Sequence, residues 1–206
     1  MQPDDCWASG PHTYICSSAF ACRRLGGATL VYSDPPWSQG NLASFRTKAG
    51  LGRADHTWLD LYGRIVELAE LRPCFIEGGL AQSATVQAML AQAIAGQAGY
   101  ETRCWPITYY RRHPAVLHYA GPAIGELDPA GLDDDDTPGY VLSRFPAGEV
   151  ADPCAGRGLT SRAAHKAGWS SVSVELHPQR MSAAMARMRR LAGYEPKLIA
   201  RSPLVR

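Results

Sequence analysis

The chain has 206 residues, 46 % of them apolar and 19 % charged, with a formal net charge of +2. That length suits one domain, or one domain with a small appendage, and buries a full core; the apolar share excludes a disordered chain, while the charge balance decides nothing about nucleic acid. No apolar run approaches the roughly 20 residues of a membrane span, and the opening MQPDDCWASG lacks a basic stretch followed by an apolar one, so a cytoplasmic protein without a membrane partner is expected.

Residues 1–27 read as an N-terminal segment. Its Cys6, His12, Cys16 and Cys22 fit no usual pattern of paired zinc ligands, and the six cysteines include no C-x-x-C pair. Reduced thiols and no metal are the expectation. Basic residues gather at Arg23-Arg24, at Arg111-Arg112-His113 and along Arg180, Arg187, Arg189 and Arg190, whereas the acids peak at Asp133 to Asp136. Such clusters suit a phosphate backbone and a solvated face equally.

Residues 28–32 form an apolar, β-branched strand that runs into Asp34-Pro35-Pro36-Trp37. Two adjacent prolines stiffen the backbone and remove two N–H donors. The arrangement holds a carboxylate, a bare carbonyl and a flat ring rigidly at a strand end. Residues 38–55 then read as a long polar loop of the kind that binds or covers a ligand. Within it Gln39 and Asn41 are candidates to meet a base edge, and Arg46 and Lys48 to touch phosphates.

A helix is expected over about 56–71 with Asp55 as its N-cap, a strand over 74–79, and a helix from Ser83 to Ala98. Residues 100–110 read as strand, break, strand, and 115–121 as another strand. Tyr109-Tyr110 followed by Arg111-Arg112 interleaves aromatic and basic side chains, which suits contact with a displaced strand, although strand tyrosines are commonly core. Residues 121–139 read as loop, and 140–145 as a short apolar piece.

The stretch DPCAGRG, residues 152–158, lies between a brief strand and a helix starting near Leu159. Its glycines let backbone approach a ligand at a helix N-terminus. It is neither G-x-G-x-x-G nor a triphosphate loop, since no lysine follows. An acid before the turn suits a ligand's positive end, and Glu175, closing the next strand, suits ribose hydroxyls. An adenosine with an amino-acid tail, S-adenosylmethionine, meets both conditions. A helix over 178–192 carries Met181, Met185, Met188 and Leu191 on one face, a stripe read as core. The alternation of strands and helices argues for an α/β sheet with helices on both faces.

Together, DPPW (34–37), DPCAGRG (152–158) and SVSVEL (171–176) resemble the amino-methyltransferases that modify exocyclic nitrogens of bases in DNA. The catalytic motif of that family is [DNS]-P-P-[YFW], and its cofactor motif is similar to D-P-F-x-G-x-G-T. Catalytic motif first and cofactor motif last is the permuted order of its β group. The resemblance spans roughly residues 28–190, with Cys154 in place of the usual Phe and Leu159-Thr160 in place of a Thr-Thr pair.

The resemblance implies a Rossmann-like methyltransferase sheet, S-adenosylmethionine as cofactor and DNA as substrate, with adenine N6 the base amine that D-P-P-W tends toward. It assigns Asp34, Pro35, Pro36 and Trp37 to catalysis and Asp152, Pro153, Cys154, Ala155, Gly156, Gly158 and Glu175 to the cofactor. Tyr109 and Arg111 join Gln39, Asn41, Arg46 and Lys48 as substrate candidates. Residues 28–200 are expected to form the catalytic domain. Too little chain lies between 121 and 152 for a substantial target-recognition domain, which points to short or relaxed recognition, a homodimer, or a separate specificity subunit. Cytosine N4, an RNA base amine, and a non-catalytic S-adenosylmethionine-binding subunit are the rival readings.

Overall fold

The computed structural model describes residues 5–23, 25–52 and 55–201; Arg24, of the paired arginines, lies outside them. In chain order the strands are β1 (Asp5–Ser9), β2 (His12–Cys16), β3 (Leu30–Ser33), β4 (Cys74–Gly79), β5 (Tyr100–Tyr109), β6 (His113–Pro122), β7 (Glu149–Asp152), β8 (Ser170–Glu175) and β9 (Lys197–Arg201). The helices are α1 (Gln39–Lys48), α2 (Trp58–Ala69), α3 (Ser83–Ala93), α4 (Thr137–Leu142), α5 (Leu159–Lys166) and α6 (Pro178–Ala192). All nine strands join one sheet in the order β5-β6-β4-β3-β7-β8-β2-β1-β9.

The five central strands, β4-β3-β7-β8-β2, run parallel. They are largely buried on both faces because helices cover both. Val31, Ile76, Ala151, Val172 and Val174 pack against Leu61, Ile65 and Leu68 of α2 and Val86 and Leu90 of α3. On the other face Leu30, Tyr32, Phe75, Leu117 and Val150 meet Val141 and Leu142 of α4 and Ala163 and Ala164 of α5. Tyr14 on that face packs on Met181, Met185 and Met188 of α6, so the methionine stripe is core; Leu191 departs from it and is 42 % exposed. The chain leaves β3 toward β4 and leaves β7 the opposite way toward β8. The carboxyl ends of β3 and β7 therefore border the crevice where open α/β sheets bind ligands.

Several expectations are corrected. Residues 38–55 hold the ten-residue helix α1, capped by the Ser38 hydroxyl accepting from the Asn41 N–H, although Leu42 is its one buried side chain. The N-cap of α2 is Thr57 rather than Asp55: Thr57 and Asp60 exchange hydrogen bonds as a capping box. Residues 5–16 of the N-terminal segment form a hairpin whose β2 pairs with β8, turning through Gly10 at a φ of 59°. β5 is continuous through Pro106. The Pro106 carbonyl accepts from the Gly131 N–H on the side away from β6, so the proline's missing donor also points away from the ladder. Residues 140–142 of the short apolar piece belong to α4, and α3 ends at Ala93 rather than Ala98. Among the described residues no helix is long and apolar enough to cross a membrane.

Candidate active site

A cavity of about 1140 Å³ opens at the carboxyl ends of the parallel strands and brings the two motifs together, with Asp34, Pro35, Pro36 and Trp37 on one side and Asp152, Cys154, Ala155 and Gly156 on the other. The register explains why: Tyr32 and Asp34, Phe75 and Glu77, and Asp152 project from the same face of adjacent strands.

Asp34 is clamped. Trp37 Nε1 donates to its Oδ1 at 2.9 Å and the Tyr109 hydroxyl to its Oδ2 at 3.1 Å. Each oxygen keeps a further lone pair, so the carboxylate is oriented yet able to accept more. Burial pushes its acidity weaker, the two hydrogen bonds pull the other way, and the charges of Asp152 and Asp134 add to the upward push. The Trp37 and Tyr109 rings meet edge to face at 4.6 Å. Gly79 makes room for the indole: a Cβ there would sit 3.2 Å from Trp37 Cε3 and 2.6 Å from Gln82 Oε1.

The second motif is held from within. Asp152 Oδ1 accepts from the Cys154 N–H at 3.0 Å and the Ser33 hydroxyl at 3.1 Å, and Oδ2 from the Thr160 hydroxyl at 2.6 Å. Asp152 thus ties β3, β7 and α5 into one rigid corner, while burial raises its carboxyl to about 6. Glu175 accepts from the Gly156 and His177 N–H groups, both at 2.7 Å, and burial raises it to about 7. Gly156 (φ 54°) has no atom nearer than 3.9 Å to a would-be Cβ, so its bare backbone faces open space. Gly158 (φ 75°) does the reverse, its would-be Cβ lying 2.8 Å from the Ala184 Cβ. The first glycine leaves open space beside its backbone, and the second lets α5 pack on α6.

The remaining candidates divide. Asn41 and Tyr109 line the cavity. Gln39 instead joins α1 to the start of α2, its Oε1 accepting from the Trp58 N–H at 3.0 Å. Arg46 donates to the Gly52 carbonyl at 3.2 Å, and Lys48 lies over the Phe45 ring. Arg111 is exposed at a φ of 59°, with its N–H and that of Tyr110 bonded to Asp133 and Asp134. That acidic run therefore pins the β5–β6 turn. Pro153, Gly158 and Glu175 lie behind the glycine turn rather than line the cavity.

Sequence reasoning missed Glu77. It lines the cavity, is fully buried, takes a 2.6 Å hydrogen bond from the Tyr32 hydroxyl on Oε1 and has no partner for Oε2. Burial first, then the Asp34 charge, hold it well above the ordinary carboxyl range. The signal was available, since an acid in CFIEGG is out of place in a strand buried on both faces. Arg157, Arg162, Lys166, Arg180, Arg187 and Arg190 also line the cavity, and of these Arg180, Arg187 and Arg190 stood in a cluster noted from the sequence.

The fold is that of solved DNA methylases. TTHA0409 of Thermus thermophilus, assigned as a DNA modification methylase, matches with a TM-score of 0.59 over 87 % of this chain and 94 % of its own, at 18 % identity. The M1.HpyAVI–SAM complex matches with a TM-score of 0.55 over 79 % and 89 % at 13 % identity. PvuII DNA methyltransferase, which is cytosine-N4-specific, matches with a TM-score of 0.53 over 89 % and 92 % at 10 % identity. TTHA0409 has also been solved with S-adenosyl-L-methionine. No protein-family model and no curated protein matches the chain. The class these observations define is a Rossmann-like α/β methyltransferase fold with helices on both faces of the sheet. Within the chain, the strand bearing DPPW precedes the one bearing the glycine turn.

Proposed function

We propose that this chain is an S-adenosylmethionine-dependent methyltransferase acting on an exocyclic base amine in DNA, adenine N6. The observation that carries the reading is the convergence in one cavity of a clamped strand-end carboxylate, Asp34, and an open glycine turn backed by Glu175. The residues fit the cofactor: Gly156 leaves room for close approach, and Glu175, accepting from the Gly156 and His177 N–H groups behind the turn, fixes the backbone that would border it. Bound there, S-adenosylmethionine would supply an electrophilic methyl group on its sulfonium. Asp152, with three donors already, acts through the turn it holds, and Pro153, Cys154, Ala155 and Gly158 set that turn's shape.

An exocyclic amine is a poor nucleophile because its lone pair is delocalised into the ring. Asp34 and the Pro35 carbonyl, held by Pro36, each accept one N–H and aim that lone pair outward, which is positioning and electrostatics more than base catalysis. The methylated amine then sheds a proton, and Asp34, made more basic by burial, is the acceptor in contact. Trp37 offers the flipped base a stacking face worth about 1–3 kcal/mol. Asn41 and Tyr109 border that pocket, whereas Gln39, Arg46, Lys48 and Arg111 act at its rim. Residues 28–200, with the β1–β2 hairpin completing their sheet, are the catalytic domain, DNA is the partner, and a second copy or a specificity subunit supplies further discrimination.

The test is incubation with labelled S-adenosylmethionine and unmethylated DNA, followed by digestion to nucleosides and mass spectrometry. N6-methyladenine is expected, and Asp34→Ala should lower turnover by about 100-fold or more while leaving cofactor affinity within about 3-fold. N4-methylcytosine would keep the mechanism and move the substrate. Unchanged turnover in Asp34→Ala would overturn the catalytic assignment.

A further inference from the structure

One wall of the cavity is cationic. Arg162 and Lys166 stand one turn apart on α5; Arg187 and Arg190 stand one turn apart on α6, with Arg157 on the turn before α5. Among the described residues none of the five has a carboxylate within ion-pair distance, although ion pairs occur elsewhere on the surface. Arg187 donates only a long 3.4 Å hydrogen bond to the Arg157 carbonyl. Burial and then the charges of Arg162, Arg157 and Arg190 press its guanidinium below the ordinary value, with Asp135 across the cavity opposing them. Like charges crowd here, opposed across the cavity by Asp135 but tied into no ion pair among the described residues.

The cofactor does not account for them. S-adenosylmethionine carries one carboxylate against an ammonium and a sulfonium, so a wall of five cations opposes its net charge. A polyanion with several charges in a row matches the two helical stripes. We propose that the α5–α6 wall is the track for the phosphate backbone of the DNA strand that presents the target base, supplying by charge the affinity that a recognition domain would otherwise supply by base contacts. This rests on the methyltransferase reading and deepens it: binding is largely sequence-independent and steeply salt-dependent.

The test is fluorescence anisotropy of a labelled unmethylated duplex at several sodium chloride concentrations. The wild type is compared with Lys166→Ala/Arg187→Ala/Arg190→Ala and with Arg189→Ala. Arg189 is on the same helix but outside the cavity and paired with Glu195 at 2.8 Å, so it serves as the control. The triple variant should bind at least about 10-fold more weakly, with a log–log salt slope shallower by about 2–3, near 0.9 per lost phosphate contact. Arg189→Ala should keep the wild-type slope, and cofactor affinity by calorimetry should be unchanged in both. Lys166→Ala alone, at an exposed position, should reduce the slope by about 1 if the triple variant folds poorly. An unchanged slope in the triple variant, with methylation of DNA intact, would overturn the track and leave the enzyme reading standing. Absence of both DNA binding and DNA methylation in the wild type would remove both, and tighter binding of a matched RNA would replace DNA as the occupant.

Discussion

Gly156 and Gly158 share a motif and a left-handed backbone yet answer to different constraints. Alanine at 158 must drive its Cβ into Ala184 and Ser161, on packed helices that cannot yield freely, besides straining φ. Gly158→Ala should therefore lose about 2–4 kcal/mol in urea unfolding. Gly156→Ala meets only strain and should lose about 1 kcal/mol, but its methyl enters the open space proposed for the cofactor, so cofactor affinity should fall about 10-fold or more. Equal losses of stability, with cofactor binding kept at 156, would refute this division. The sequence marked both glycines but could not separate them, because the difference lies in whether α6, some twenty-five residues further on, packs over the position. Asp152 was similarly visible as an acid before a turn, whereas its three partners come from β3, the turn and α5.

Helix α1 is an element with little to hold it. One buried leucine, a serine cap and the Gln39 bridge to α2 stand against the five buried side chains and capping box of α2. Local stability follows buried contacts, so the amides of α1 should exchange with deuterium at least about 10-fold faster than those of α2. Gln39→Ala should quicken α1 further without touching α2. Matching protection of the two helices would count against α1 as the mobile border of the site. The polar composition of residues 38–55 led to a loop because no apolar face repeats along it. What makes it helical is the Ser38 cap together with anchorage at Leu42 and Gln39, only the first of which is a local signal. The opposite holds for α2 and α6, whose apolar stripes are periodic and whose positions were plain from the residues alone, and for β3, β4 and β8. β1 and β2 escaped notice because five-residue strands carry little pattern, although Gly10-Pro11 between them is a turn signal.

At the scale of the molecule, buried ionisable groups set the dependence of stability on pH. Glu175 is raised to about 7 and Asp152 to about 6, so each binds its proton more tightly folded than unfolded. Their stabilisation is complete below the ordinary carboxyl value and is lost as pH rises through the folded value. Buried His12 and His118 are lowered to about 4 and act oppositely, with stability lost as pH falls from about 6.5. Between about pH 4 and 6.5 the two effects oppose; above that only the carboxyls remain. The melting temperature of the cofactor-free protein should therefore decline from about pH 6 to about pH 8, Glu175 contributing about 1 kcal/mol or a few degrees. Glu175→Gln should lessen that decline without abolishing it, because Asp34, also raised to about 7 by burial, titrates in the same range; a profile identical to the wild type would show that Glu175 does not titrate there.

Two kinds of information meet in this protein. The rigid diproline end of β3, the glycine turn, the acid closing β8 and the methionine stripe are properties of neighbours in the chain, set by covalent geometry and helical or strand repeat, and they are complete before folding. The clamp of Tyr109 on Asp34, the corner joining Ser33, Asp152 and Thr160, the burial of Glu77 and the cationic wall on α5 and α6 each join residues far apart in the chain. They exist only because the sheet order sets β3 between β4 and β7, and no local preference encodes which strands become neighbours.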